Sequence, residues 1–278
     1  MGTLFAIGDL HVEQAENRRF VERLEAQSEG DWLIVCGDVA DSIDAVESAL
    51  GLLAKRFAQV LWVPGNHELL SQRGDAGEPR GEDRYLRLVG ACRQLGVLTP
   101  EDPYPVWEGA GGPALLAPLF LLYDYSFGHN VAATKEAALL KAQEAGVVCV
   151  DEFLLHPDPY ASREQWCAAR VEQTEARLRS RPAEMPTVLI NHFPLIEAPT
   201  RMLRHPEFAQ WCGTTRTADW HRRFGAAVVV YGHLHIPLTS WHDGVRFEEV
   251  SLGNTREWQG REWAKPGLRT ILPGGGTP

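Results

Sequence analysis

Cysteine is scarce and unpatterned in this chain. The five residues Cys36, Cys92, Cys149, Cys167 and Cys212 lie far apart among 278, with no CxxC and no zinc-knuckle spacing. That leaves no basis for a disulfide scaffold, a Cys-rich zinc site or a dithiol redox centre, and the thiols read as reduced and mostly structural. Long apolar runs are also missing: no stretch reaches the about 18 residues that mark a membrane helix. The opening MGTLFAIGDL lacks the basic region, long apolar stretch and cleavage site of a secretory signal. The expectation is a soluble, cytoplasmic protein. Positive charge is in deficit, with 27 Lys and Arg against 37 Asp and Glu and a net charge of -10. This opposes nonspecific attachment to nucleic acid or anionic lipid.

What the sequence does have is core-forming material. At 44% hydrophobic residues, a chain of this length can bury one large core, so a single domain over 1–278 is expected. Apolar runs at Thr3–Ile7, Trp32–Cys36 and Val60–Val63 each stop at a polar loop, and helix-like stretches follow the first two, over Asn17–Gln27 and Asp44–Phe57. The pattern returns at Thr187–Ile190 and Ala226–Val230, and Asp243-Gly244 joins two later strands as a hairpin. This is an α/β arrangement with polar residues at the carboxyl ends of its strands. The stretch from about 123 to 161 is irregular and reads as an insertion or cap near the site. The end, from about 270 to 278, reads as a loose tail.

Five polar motifs follow those strands: Asp9-x-His11, Gly37-Asp38-x-x-Asp41, Gly65-Asn66-His67-Glu68, Asn191-His192 and Gly232-His233-x-His235. A lone His after a strand is usually hydrogen-bonded or solvent-facing. Five strand ends delivering Asp, Asn and His to one sheet edge make that reading poor. Alternate residues of an extended segment project to one side, so Asp9 with His11, and His233 with His235, can each direct two ligands. Carboxylate, amide and imidazole without thiolate suit Mn, Fe or Zn. The glycines beside Asp38, Asn66 and His233 permit sharp turns and close backbone approach.

In this order and without a missing position, the motifs resemble those of the calcineurin-like metallophosphoesterases. The resemblance implies a sandwich of two mixed β-sheets flanked by helices. It implies one metal on Asp9, His11, Asp38 and His235 and a second on Asp38, Asn66, His192 and His233, with Asp38 bridging. Such a pair activates a bridging water or hydroxide for in-line attack on phosphorus. The resemblance also puts His67 beside the metals as a catalytic group, with Asp41 either orienting it or capping the helix that begins near Ser42. Glu68 would stand behind the ligands. His129, His156, His205, His221 and His242 match no motif position and read as structural or exposed, with His129 and His156 the first exceptions to look for.

Substrate choice must come from flanking segments. Pro118–Ser126, Asp151–Leu155, Trp211–His221 and Gly244–Gly253 are similar to those of actinobacterial metallophosphoesterases that remove the phosphopantetheine arm from carrier proteins. That likeness implies an acyl or peptidyl carrier protein as partner. Carrier proteins are generally acidic, so the Arg-rich stretch from Arg163 to Arg181 reads either as a docking face or as a solvated helix face. Tyr123, Tyr125, Phe127, Trp211 and Trp220 read as core and rim packing, with a substrate groove the alternative. A phosphomonoesterase, or a small-molecule or cyclic-nucleotide phosphodiesterase, would use the same metals. A nuclease is disfavoured by charge, and a catalytically dead scaffold by the presence of every ligand and of His67.

Overall fold

The structure is a computed structural model that describes residues 1–71, 77–261 and 267–274. Its first half alternates strand and helix: β1 (Leu4–Ile7), α1 (Ala15–Val21), β2 (Trp32–Cys36), α2 (Ile43–Ala54), β3 (Gln59–Val63) and α3 (Gly81–Gln94). The middle comprises β4 (Val106–Trp107), β5 (Ala114–Pro118), α4 (Lys135–Glu144), α5 (Asp151–Leu154) and α6 (Arg163–Arg179). The remainder contains β6 (Thr187–Ile190), α7 (Trp220–Arg223), β7 (Ala226–Tyr231), β8 (Thr239–His242), β9 (Val245–Glu249), α8 (Thr255–Gln259) and β10 (Arg269–Leu272). Among the described residues, no helix is long and apolar enough to cross a membrane.

The strands form two sheets, ordered β10-β1-β2-β3 and β4-β5-β6-β7-β9-β8, in which β1–β3 and β5-β6-β7-β9 run parallel. Alternation along each strand builds two cores. Leu4, Ala6, Ile34, Cys36, Leu61 and Val63 meet Leu116, Val188, Ile190, Val228 and Val230 between the sheets. Phe5, Ile7, Leu33, Val35 and Trp62 belong to the other core, on the helical side, as do Leu189, Val229 and Tyr231. Strands buried on both faces need apolar residues at every position, which is why they read as unbroken runs. The result is the α/β/β/α sandwich expected from the motifs.

Local chemistry sets the helix limits. Ser42 Oγ caps α2 by accepting from Ala45 N at 3.2 Å, and Ile43, Val46, Ala49, Leu50 and Leu53 face the core at helical spacing. Complete burial of Leu50 and Leu53 contributes about 2 kcal/mol each. α1 stops at Val21, short of the expected Gln27, and the Asp31 carboxylate takes the Gln27 and Ser28 amides, each at 2.8 Å, into a turn. The Asp243-Gly244 turn has φ of 51° and 77°, the left-handed pair that closes a two-residue hairpin between β8 and β9. The tail expected to be loose from about 270 is instead strand as far as Leu272. β10 pairs antiparallel with β1 and buries Ile271 and Leu272, which covers an otherwise open sheet edge. Residues 275–278 of that tail lie outside the described ones.

Candidate metal centre

The site lies at the carboxyl ends of β1, β2, β3, β6 and β7, where a bridge between Gly8 and Ser251 links the two sheets. Backbone strain is concentrated there. Asp9, His11, Asp38, His233 and His235 have φ of 51°, 41°, 51°, 70° and 55°, a left-handed conformation that costs a non-glycine residue about 1–2 kcal/mol. Interlocking hydrogen bonds hold it, with Asp9 N donating to Gly37 O at 2.8 Å and His11 N to Asp38 O at 3.0 Å. Strain retained at five polar residues in one place is characteristic of a functional constraint. Two glycines are required by contact: a Cβ on Gly65 would stand 2.0 Å from Asp38 Oδ1, and one on Gly232 would stand 2.3 Å from Asp9 Oδ2.

The side chains converge. His235 Nε2 is 3.1 Å from Asp9 Oδ1 and 3.3 Å from His11 Nε2. His192 Nε2 is 3.4 Å from Asp38 Oδ2 and 3.2 Å from His233 Nδ1. His67 N donates to Asp38 Oδ1 at 3.0 Å, and its Nε2 is 4.0 Å from Asp38 Oδ2. Three sets, Asp9-His11-His235, His11-Asp38-His67 and Asp38-His192-His233, each bring their donor atoms within 4.8 Å of one another. Asp38 belongs to two of them, at the middle of the row. Asn66 is buried, and its Oδ1 has no hydrogen-bond partner. Ring nitrogens facing ring nitrogens, beside a buried and unpartnered amide oxygen, are badly matched to each other and well matched to cations.

Electrostatics divide the histidines into two groups: burial opposes charge on His235, but Asp9 and Glu257 outweigh it and hold the ring well above its ordinary value, while other rings are driven down. Burial drives the pKa of His11 down to about 4 and, helped by neighbouring His192, that of His233 down to about 3; both rings are neutral at pH 7, the form that ligates metal. Burial opposes charge on His67 as well, but the Asp38 carboxylate and the Asp41 hydrogen bond outweigh it and raise the pKa to about 10. Burial likewise opposes charge on His192, and Asp38 raises it to about 9. Glu68 is pushed up to about 7 by burial and then by Asp38.

Behind the convergent groups stand others that fix them. Asp41 Oδ1 accepts from His67 Nδ1 at 2.7 Å, and the helix cap that was the alternative for Asp41 is supplied by Ser42. Glu68 accepts from the backbone of Asp38 (3.0 Å), Val39 (2.9 Å) and Gly65 (2.9 Å), locking two ligand loops together. His192 Nδ1 bonds Cys36 O at 2.9 Å. Sequence reasoning missed Ser251, whose hydroxyl donates to Asp9 Oδ2 at 2.7 Å, and Glu257, at 2.7 Å from His235 Nδ1. It also missed Asp151, which accepts from Asn66 Nδ2 at 3.0 Å. None follows an apolar strand with a glycine beside it, so no local pattern marked them. Of the histidines outside the motifs, His205 borders the site cleft, whereas His221 is buried against Asp243 at 2.9 Å. The side chain of His129 is outside the described ones.

The Arg-rich stretch does not form a free basic face. Arg177 donates to the carbonyls of Pro100 and Asp102, Arg181 to Phe224 O, and Arg179 pairs with Glu175. Tyr123, Tyr125, Phe127, Trp211 and Trp220 are all buried, as core packing requires.

A two-sheet sandwich with this row of Asp, His and Asn at its strand ends defines a metallophosphoesterase. Residues 2–237 match the calcineurin-like phosphoesterase family, and the chain belongs to that family. It is a phosphoester hydrolase, and membership implies a centre of two divalent cations. The acyl-carrier-protein phosphodiesterase PptH of Mycobacterium tuberculosis is 52% identical over 274 residues, covering 98% of this chain and 83% of that protein. The crystal structure of phosphopantetheinyl hydrolase (PptH) from the same organism matches with a TM-score of 0.95 at 52% identity, covering 98% of this chain and 96% of that one.

Proposed function

We propose that this protein hydrolyses the phosphodiester joining a 4'-phosphopantetheine arm to the serine of an acyl or peptidyl carrier protein, releasing the apo carrier. The observation that carries the reading is the lining of the cleft. A cavity of about 600 Å³ is lined both by Asp38, Asn66, His67 and His233 and by Val147, Val148, Leu203, Phe208 and Ile236, with the Phe208 ring stacked on that of His233. An ester whose phosphate meets the polar groups while the methyls and methylenes of a long arm lie against the apolar ones suits that lining. The identity to a carrier-protein phosphodiesterase supports the same substrate. Residues 123–161 act in this reading as a cap, since Val147 to Val150 supply part of the wall.

The residues that would hold the cations are Asp9, His11, Asp38 and His235 for one and Asp38, Asn66, His192 and His233 for the other, with Mn, Fe or Zn suited to the donors. When bound, the cations supply charge neutralisation at phosphorus and acidification of water. His67 is held at Nδ1 by Asp41, so its Nε2–H faces the reacting group. Water loses one proton as its oxygen bonds to phosphorus, the bond from phosphorus to the serine oxygen breaks, that oxygen takes a proton from His67, and the proton lost by the water restores His67 through solvent.

The test is mass spectrometry of a holo carrier protein incubated with the purified chain and Mn2+. The expected product is the apo carrier together with free 4'-phosphopantetheine. A carrier left intact by an enzyme that still cleaves a chromogenic monoester or a cyclic nucleotide would overturn the reading.

A further inference from the structure

Asn66 differs from the other proposed ligands in having two chemically opposite ends. Its amide can present either Oδ1, a donor of electron pairs, or the Nδ2 hydrogens, which repel a cation. What selects between them lies outside the five motifs. Asp151, fully buried at 0% exposure, accepts from Asn66 Nδ2 at 3.0 Å through Oδ1. Its other oxygen accepts from the Tyr123 hydroxyl at 3.1 Å. Tyr123 is itself buried, packing edge-on against Tyr125 and Phe193, so the carboxylate is fixed at both ends. With Nδ2 turned to Asp151, Asn66 Oδ1 is left buried and without a hydrogen-bond partner.

We propose that Asp151 is the positioning residue for Asn66: by taking the amide hydrogens, it presents Oδ1 to the metal centre. The proposal rests on Asn66 being a ligand, as set out under Proposed function. Asp151 begins α5, in the same short segment that supplies the apolar wall of the cleft. The wall and the ligand are therefore ordered together, and a displacement of this segment releases the amide. An outer partner of this kind typically changes metal affinity by about 10–100-fold.

The experiment is calorimetric titration of the metal-free, full-length protein with Mn2+, with near-UV circular dichroism to show that each variant is folded. Asp151→Ala should weaken one of the two Mn2+ binding events by about 10–100-fold and leave the other unchanged. Asp151→Asn, which keeps an acceptor oxygen toward Asn66 Nδ2, should remain within a few-fold of the parent. In an Asn66→Ala background, where there is no amide to orient, adding Asp151→Ala should have no further effect. Equal losses in Asp151→Asn and Asp151→Ala would show that charge and not orientation acts. An undiminished loss in the Asn66→Ala background would show a merely structural role. Either result overturns the proposal. Should Asp151→Ala fail to fold, Asp151→Asn still decides, because a full loss of the affected event there has the same meaning. Failure of the parent protein to bind two ions overturns the underlying ligand assignment instead, and is read from the parent alone.

Discussion

In the proposed mechanism His67 acts under two carboxylates that treat it differently. Asp41 bonds Nδ1 at 2.7 Å, fixing the ring and its tautomer, while Asp38, 4.0 Å from Nε2, mainly contributes charge. His67→Ala should therefore lower kcat by about 10²–10⁴-fold, with bound metal unchanged on elemental analysis. Asp41→Asn, which leaves the ring in place but loosens it, should cost about 10–100-fold. Loss of metal in His67→Ala would move this residue into the ligand set. The charge has a signature of its own. In the metal-free protein the pKa of His67, depressed by burial but raised further by Asp38 and Asp41, is about 10. Because the folded value lies above the ordinary 6.5, its contribution to stability is complete below that pH and is lost as pH rises through about 10. Adding Mg2+, whose charge opposes that of Asp38, should lower this pKa in a proton NMR titration of the ring, and an unchanged value would separate His67 from the centre. The sequence showed His67 plainly, because a strand and a glycine precede it. Asp151, Ser251 and Glu257 were hidden because their partners Asn66, Asp9 and His235 are 85, 242 and 22 residues away, and long-range pairing has no period.

Elements differ in the same way. The β8–β9 hairpin could be read from two residues, since Asp-Gly meets the left-handed requirement of the turn locally. The segment from 123 to 161 could not, because polar contacts with distant elements hold it. Glu152 accepts from the Tyr125 hydroxyl at 2.7 Å and from Trp211 Nε1 at 2.8 Å, and Arg163 donates to the same Tyr125 oxygen at 2.8 Å. This network ties α5 to the start of α6 and to the chain at Trp211. Glu152→Ala leaves the Trp211 indole N–H and the Tyr125 hydroxyl without their acceptor and removes the carboxylate 3.3 Å from Arg163 Nη1, at a cost of about 2–3 kcal/mol. Hydrogen exchange should then accelerate over residues 147–155 well before it does in β6. If exchange rises equally in both, the segment opens only with the whole protein and is no separate cap.

At the scale of the molecule, β1, β2, β3, β6 and β7 read clearly as apolar runs, whereas β4, β5 and β10 did not, nor did the join between the outer layers. Part of that join is Glu101. It accepts from the hydroxyl of Tyr85 in α3 at 2.7 Å and from Arg170 Nη2 in α6 at 2.6 Å, so it connects two helices from different halves of the chain. Arg170 is only 4% exposed, and a charge so placed is costly without its partner. Glu101→Ala should destabilise the protein by about 2–3 kcal/mol, toward the low side for a buried pair because Glu101 keeps some contact with solvent. The effect should depend on pH in one direction. Burial alone would raise the Glu101 pKa, but Arg170 and the Tyr85 hydroxyl outweigh it and hold the value below the ordinary 4.5. The stabilisation is therefore complete above 4.5 and fades as pH falls through the lower folded value. In denaturant unfolding of the parent and Glu101→Ala, the stability difference should stay constant from about pH 7 to pH 5 and shrink below about pH 4. A difference that persists undiminished at about pH 3 would mean that Glu101 acts through packing and not through its charge.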